Sequence, residues 1–372
     1  MKSIYLIQEE GCLNPVSGAF QHIFMGVNEL SKHFNVFTYK SSKPFNINNV
    51  QKIHSNSEND YVTTRGGILY GTLKDIYIFF RNLSSVPRLI KLFKIENVDF
   101  IYERASYLNF SALIACRYLG IPHFYESNGL QFESRKKYYK SFFNTLAKRL
   151  EKISYGLSSY TFFIGTYGDY WKIKKNNWSN VENGIEPDLV EKIKSTTKEI
   201  FDVCFVGRYM SHQRLDVLVD SFNDIKNKDL IRVNLIGTGL ERVQKKLIEK
   251  NINVVNHGFI ERRNLINLVS NFEIAVIPGS PQYQSCMKLF DYGAAGCAVL
   301  APKTYNLTYW FSDELFFFDG TANDLKNKLN ILISDRVLIQ EYSSKLNYKI
   351  KSRFTWTKIF NFKSNIIKGI TA

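Results

Sequence analysis

Ser285-Cys286-Met287-Lys288-Leu289-Phe290-Asp291-Tyr292-Gly293-Ala294-Ala295-Gly296-Cys297-Ala298-Val299-Leu300 is the stretch on which the reading of this chain turns. It follows an apolar run at 274–277 and a Pro278-Gly279-Ser280-Pro281 loop, which predict a buried strand and a turn. A helix is expected from near Cys286, stopped by Gly296, with the next buried strand at 298–300. The start of such a helix aims unpaired backbone N–H groups and its positive dipole end at whatever lies beyond the strands, a setting that suits phosphates. Asp291, about one turn further on, is placed to accept hydrogen bonds from vicinal hydroxyls such as a ribose offers.

Outward from this segment, short β-branched or aromatic runs alternate with longer amphipathic ones, the mark of βαβ units and parallel sheets. Strands are expected at 4–7, 36–39, 100–102, 123–125 and 161–164, and again at 202–206, 232–236, 253–256, 274–277 and 298–300. Helices fit 19–33, 73–93, 108–119 and 138–155, then 215–225, 240–250, 262–270 and 287–295, and the pattern beyond about 320 is helical throughout. At roughly 100–200 residues per domain, 372 residues predict two domains. Turn signals in Val181-Glu182-Asn183-Gly184-Ile185-Glu186-Pro187 put the junction at 185–200. The expected organisation is a Rossmann-like domain over 1–190, a second over 191–350 and a closing helix over 351–372 that packs back on the first. Two doubly wound domains facing a cleft bind ligands where strand carboxyl ends meet, so a nucleotide-type ligand is expected.

Composition removes several alternatives. Hydrophobic residues at 45% and charged residues at 22% fit a soluble globular chain and not a disordered one. No apolar run approaches the roughly 20 residues of a membrane-spanning helix. The run at 4–7 passes directly into Gln8-Glu9-Glu10, so no signal-peptide core is expected. The five cysteines form no CxxC pair, which fits reduced thiols in a cytoplasm better than a disulfide or zinc framework. HxxxH, HExxH, Asp-x-Asp, Walker A and GxGxxG patterns are all absent, so neither a metal nor a bound cofactor is expected.

The net charge is +15, with 23 basic and 16 acidic residues in 1–190 and 26 and 18 in 191–372. Locally the excess peaks at 131–152, where Arg135, Lys136, Lys137, Lys140, Lys148, Arg149 and Lys152 face Glu133 and Glu151 and are interleaved with aromatic rings. A solvated helix face and an anionic membrane surface both account for that pattern, with Arg135, Lys136, Lys137 and Lys140 as the candidate membrane contacts. Nucleic acid is not expected, since no nucleic-acid-binding motif accompanies the charge.

Six blocks in order give the chain a family resemblance. The 285–300 segment resembles the "S-P-x-K-L-F-E-Y-x-A-A-G-x-P-V" donor-binding signature of retaining glycosyltransferases of family 4. Phe205-Val206-Gly207-Arg208 with Leu215-Asp216-Val217-Leu218 resembles the opening of their second domain, and Asn256-His257-Gly258-Phe259-Ile260 their "f-x-G-x-v". Val181-Glu182-Asn183-Gly184-Ile185 resembles the linker, and Phe354-Thr355-Trp356 the start of the last helix. Ile101-Tyr102-Glu103-Arg104 and Tyr125-Glu126-Ser127-Asn128-Gly129 resemble a first-domain pair of members that build polysaccharides, such as O-antigens.

The resemblance implies a GT-B fold and metal-independent transfer of a sugar from a nucleoside diphosphate sugar to a glycan or lipid-linked acceptor. With the reduced cysteines and the basic stretch at 131–152, the expectation is a cytoplasmic protein for which peripheral contact with the inner face of the membrane is one reading. Arg208 matches the diphosphate clamp, and Gly18 and Gly207 match glycines beside the phosphates. Backbone at Met287, Lys288 and Leu289 matches the phosphate cradle, Asp291 the ribose carboxylate and Ile260 the base contact. Asn128 stands where many members carry a sugar-facing histidine, with Glu126 two residues before it, and both join Arg208 as catalytic-site candidates. His22 and Arg104 are expected near the cleft in structural roles. The chain departs from the pattern at Tyr283, where a glutamate is usual, at Asp291 in place of Glu, and at Gln213-Arg214 in place of Lys-Gly. Arg214 is the candidate replacement for the missing cation. A non-catalytic partner subunit and a sugar-nucleotide epimerase are the alternative readings.

Overall fold

In the computed structural model, which describes residues 1–13, 17–50, 67–136, 139–189 and 199–372, one unit comprises Met1–Val181 with Phe360–Ala372 and another comprises Glu182–Ile359. The first unit is built on β1 (Lys2–Ile7), whose Ile4, Tyr5, Leu6 and Ile7 are fully buried. A strand apolar on both faces belongs in the middle of a parallel sheet covered on both sides. Around it lie β2 (Asn35–Lys40), β3 (Lys43–Pro44), β4 (Phe100–Arg104), β5 (His123–Ser127), β6 (Tyr160–Ile164) and β7 (Trp178–Val181), in the order β3-β2-β1-β4-β5-β6-β7. All pairings are parallel except the short β2–β3 hairpin. Helices α1 (Gly18–Ser31), α2 (Ile47–Val50), α3 (Ile68–Leu83), α4 (Val86–Glu96), α5 (Ser111–Leu119), α6 (Gln131–Lys136), α7 (Asn144–Leu157) and α8 (Tyr167–Trp171) connect the strands.

The second unit repeats the plan. Strands β8 (Phe201–Val206), β9 (Ile231–Ile236), β10 (Asn253–Gly258), β11 (Ile274–Val276), β12 (Ala298–Pro302) and β13 (Phe316–Phe318) form an all-parallel sheet in the order β10-β9-β8-β11-β12-β13. Helices α9 (Leu215–Ser221), α10 (Glu241–Ile248), α11 (Arg262–Val269), α12 (Met287–Ala295), α13 (Tyr305–Trp310), α14 (Ala322–Ser334) and α15 (Arg336–Arg353) cover it. The last helix, α16 (Trp356–Thr371), begins in this unit, and its residues from Phe360 onward belong to the first. Helix α12 runs where the 285–300 segment predicts it: Cys286 is its N-cap, and Gly296, at φ 83°, ends it in the left-handed conformation. Leu289, Phe290 and Tyr292 pack into one of the unit's cores, and the Tyr292 hydroxyl accepts a 2.7 Å hydrogen bond from the Val206 N–H. That bond fixes the helix against the carboxyl end of β8.

Two expected helices differ from the fold, and three short strands are not among those expected. The single helix expected over 73–93 is two, α3 and α4, and starts earlier at Ile68. Ser84 and Ser85 turn their hydroxyls back onto the Arg81 and Asn82 carbonyls at the break, and Pro87, which lacks an N–H, sits in the first turn of α4. The helix expected from 138 begins at Asn144; Tyr138 lies outside the described residues, and Ser141 Oγ accepts from the Phe143 N–H just before the helix. Strands β3, β7 and β13 escape pattern reading because each is two to four residues long, and in β7 only Val181 is fully buried.

The turn after β9 brings two backbones into contact. A Cβ on Gly237, whose φ is +137°, would lie 2.0 Å from the Gly207 carbonyl oxygen. Gly237→Ala is therefore expected to cost more than about 3 kcal/mol, combining clash with a disfavoured φ. Denaturant unfolding of the purified variant checks this; an unchanged midpoint would contradict it.

Candidate functional site

In the second unit the carboxyl ends of β8 and β9 and the start of α12 converge. The Gly207 N–H donates to the Ile236 carbonyl (2.9 Å) and the Tyr209 N–H to Thr238 (3.2 Å), aligning the two strand ends. Lys288, in the first turn of α12, is buried against them. Its Nζ lies 4.2 Å from the centre of the Phe205 ring, donates to Gln213 Oε1 at 2.5 Å, and would be 3.0 Å from a Cβ on Gly207. Burial lowers its pKa to about 8. The helix adds N–H groups at Met287 and Lys288 that have no intrahelical acceptor, whereas the Leu289 N–H already donates to the Cys286 carbonyl at 3.0 Å. Gly207, Met287 and Lys288 are thus brought together, while Leu289, expected in the phosphate cradle, has its N–H bonded within the helix and its side chain turned into the core. Gln213, read from the sequence as a missing cation, is the group that holds a cation in place.

Arg208, next along from Gly207, is exposed, and among the described residues nothing engages its guanidinium. Arg214 is turned elsewhere: its Nε pairs with Asp216 Oδ2 at 3.2 Å, and the side chain is half exposed. Asp291 is buried one turn beyond Lys288, and Arg262 at the start of α11 lies 3.0 Å from its Oδ1. The same guanidinium reaches Glu186 at 3.6 Å. Burial raises the Asp291 pKa and Arg262 opposes the rise. Ile260 is half-buried against the core beside α12. Arg262 and Glu186 are not legible as a pair in the sequence, because they lie far apart in the chain and each alone looks like an ordinary solvated charge.

The loop ahead of α12 is held by Glu182, which was read only as part of a linker. Its carboxylate is fully enclosed, accepting from Ser285 Oγ, from Asn306 Nδ2 (2.6 Å) and from the Asn183 N–H (3.2 Å). Asn183 Nδ2 also donates to Ser285 Oγ at 2.7 Å. With neutral donors only, burial lifts the Glu182 pKa to about 7.

The first unit holds a second cluster at the end of β5. Glu126 has no exposed surface. Its Oε1 lies 3.0 Å from His22 Nε2 and accepts from Arg104 Nη1 (3.3 Å) and Asn128 Nδ2 (3.0 Å). Its Oε2 accepts from Tyr102 OH (2.5 Å) and Lys363 Nζ (2.8 Å), the latter on α16. Burial alone would raise this carboxyl's pKa; the surrounding His22, Lys363 and Arg104 outweigh it and hold it well below the usual range. Burial lowers the His22 pKa, with Lys363 and Arg104 adding to the effect. Asn128 is half-buried beside this cluster, while Gly18 is the exposed first residue of α1, after the N-cap Ser17. Of the basic run, Arg135 donates to Tyr139 OH at 3.0 Å, Lys136 and Lys140 are exposed, and Lys137 lies outside the described residues.

Glu182 makes one pH-dependent consequence measurable. Its pKa is raised on folding, so its stabilising contribution is complete below the ordinary carboxylate value near 4.5 and is lost as pH rises through about 7. Glu182→Gln keeps an acceptor but does not ionise. Between pH 5 and 8 the variant should lose about 2–3 kcal/mol less stability than wild type. Calorimetric Tm profiles that run parallel would contradict this.

Residues 188–353 match the family model described as glycosyl transferases group 1. No curated protein sequence matches the chain. Among solved structures, Anabaena Alr3699/HepE in complex with UDP superposes with a TM-score of 0.73 at 13% identity, over 99% of this chain and 100% of that one. A glycosyltransferase from Rickettsia africae ESF-5 gives 0.70 at 13% identity over 99% and 98%. The lipopolysaccharide outer core galactosyltransferase WaaB gives 0.65 at 15% identity over 99% and 100%. The two Rossmann-like parallel-sheet units thus share the fold of GT-B glycosyltransferases.

Proposed function

We propose that this chain is a retaining glycosyltransferase that moves a hexose from a nucleoside diphosphate sugar to a carbohydrate or lipid-linked acceptor. The observation that carries the reading is the buried Lys288 at the start of α12, set against Gly207 and oriented by Gln213. A buried cation beside unpaired helix N–H groups is the environment a diphosphate needs, since it replaces water around a doubly charged group. As the sugar–phosphate bond breaks, negative charge grows on the leaving diphosphate; Lys288 and the α12 N–H groups stabilise it, with the unpaired Arg208 as a third donor. No metal enters this scheme. Asp291, with Arg262 fixing its orientation, receives the ribose hydroxyls, and Ile260 lies against the base. UDP is the first nucleotide to try, because the HepE structures are with UDP and with UDP-glucose.

In the first unit, Glu126 is too enclosed to touch a substrate. We assign it a positioning role, orienting Asn128 toward the sugar through the 3.0 Å hydrogen bond. Gly18, the first residue of α1, is kept as a phosphate-contact candidate on the resemblance alone. The acceptor reading, a glycan of a bacterial surface polysaccharide assembled at the inner face of the cytoplasmic membrane, rests on the resemblance of the first-domain blocks.

Two measurements test the donor site. Lys288→Met should weaken UDP binding at least about a hundredfold, the order expected when a charge-assisted phosphate contact is lost. Wild-type affinity should fall as pH rises through about 8, where Lys288 loses its proton, and the variant should lack that fall. Calorimetric titration at pH 6.5 to 9 reads both. Equal affinities for wild type and variant, or no binding of any nucleoside diphosphate by wild type, would overturn the proposal and favour a non-catalytic partner subunit.

A further inference from the structure

Helix α3 presents its apolar side to solvent. Its inward face is fixed by Gly71 and Asp75. A Cβ on Gly71 would lie 2.0 Å from the Lys140 carbonyl oxygen, so two backbones touch there. Asp75 is buried and accepts from Tyr107 OH (2.9 Å) and Tyr139 OH (2.6 Å). Anchored in this way, the helix has no freedom to roll. Leu69, Leu73, Tyr77 and Phe80, spaced as one stripe, are left outward with exposures of 70, 68, 65 and 62%. Phe142, whose N–H donates to Thr72 Oγ1, extends the apolar surface at 68% exposure. Beside the stripe, α3, α5 and α7 enclose an apolar groove of about 220 Å³ walled by Leu83, Ile114, Leu150, Ile153 and Leu157. Surface of this kind, contiguous and held open, marks a docking site.

The charge around it is one-sided. Glu151 is buried, accepting from the Gln131 and Phe132 N–H groups and from Tyr155 OH, and Asp75 is buried as described. Among the described residues of α3, α5, α6, α7 and 139–143, Glu133 is the one exposed carboxylate. Against it stand exposed Lys74 and Arg81 on α3, Arg117 on α5, Lys140 on the approach to α7 and Arg149 on α7, while Lys148 is turned away over the Phe132 and Tyr170 rings.

We infer that this face docks on an anionic lipid bilayer. The α3 stripe enters the boundary between headgroups and acyl chains, with Tyr77 and Phe80 at the depth where rings favour the interface, and the flanking cations meet lipid phosphates. A second copy of this chain would bring two cationic faces together, and a nucleic acid would satisfy the cations while leaving the stripe in water. A lipid surface satisfies both. The inference uses no donor-site residue and stands apart from the sugar-transfer reading.

Sedimentation of the purified chain with phosphatidylcholine vesicles, with and without phosphatidylglycerol, tests it. Wild type should bind the anionic vesicles at least about tenfold more strongly than the zwitterionic ones, and less as salt rises. Leu73→Asp/Tyr77→Asp and, separately, Lys74→Glu/Arg81→Glu should each lose at least about tenfold in binding to anionic vesicles. All these positions are exposed, so Tm should stay at the wild-type value, and the two variant sets reach the same face independently. No vesicle binding by wild type, equal binding to both lipids, binding unchanged in both variants, or duplex RNA bound in place of vesicles would each overturn the inference. So would a change confined to the chain's own association state in light scattering.

Discussion

A parallel sheet covered by helices on both faces has one outlet for its polar chemistry, the carboxyl ends of its strands, and both units of this chain are arranged around that constraint. In the first, β4 ends in Arg104 and β5 carries Glu126 one residue before its end, and the buried charges collect there. In the second, β8 ends beside Gly207, and the hydrogen bond from Val206 to Tyr292 pins α12 so that its open end and Lys288 face the same place. Strand ends that must leave room for backbone approach explain why Gly207 and Gly237 lie in contact.

Each buried carboxylate near these outlets is stabilised differently, and its protonation follows. Glu126 is ringed by Lys363, Arg104 and His22 and is held ionised. Glu182 meets only hydroxyl, amide and backbone donors and titrates near neutrality. Asp291 has one guanidinium, from Arg262, which opposes the effect of burial without cancelling it. Glu126 and Lys363 also join β5 to α16, so the last helix carries a charge that the sheet needs. A group whose lone pairs are all engaged orients its neighbours instead of reacting, which places Glu126 behind Asn128.

Much of the architecture could be read from the chain because its signals are local. The Pro-Gly-Ser-Pro loop, the Cys286-to-Gly296 helix and the apolar runs of β1, β8 and β11 depend on residues close in sequence. What escaped was short or non-local. Strands β3, β7 and β13 are too brief to show a period, and Ser84-Ser85 breaks a helix through side-chain bonds that hydropathy does not register. The partnerships that define the sites join residues far apart: Lys288 with Gln213, Asp291 with Arg262, Glu182 with Asn306, Glu126 with Lys363. The apolar exposure of α3 was equally hidden, because an amphipathic pattern gives the stripe but not which way it faces.

The account centres on α12 as the diphosphate cradle. Its most direct test is a crystal structure of the chain with UDP. The account predicts β-phosphate oxygens within hydrogen-bond distance of the Met287 or Lys288 N–H and of Lys288 Nζ, with the ribose hydroxyls on Asp291. Nucleotide bound elsewhere, with its phosphates out of reach of the α12 N-terminus, would contradict it.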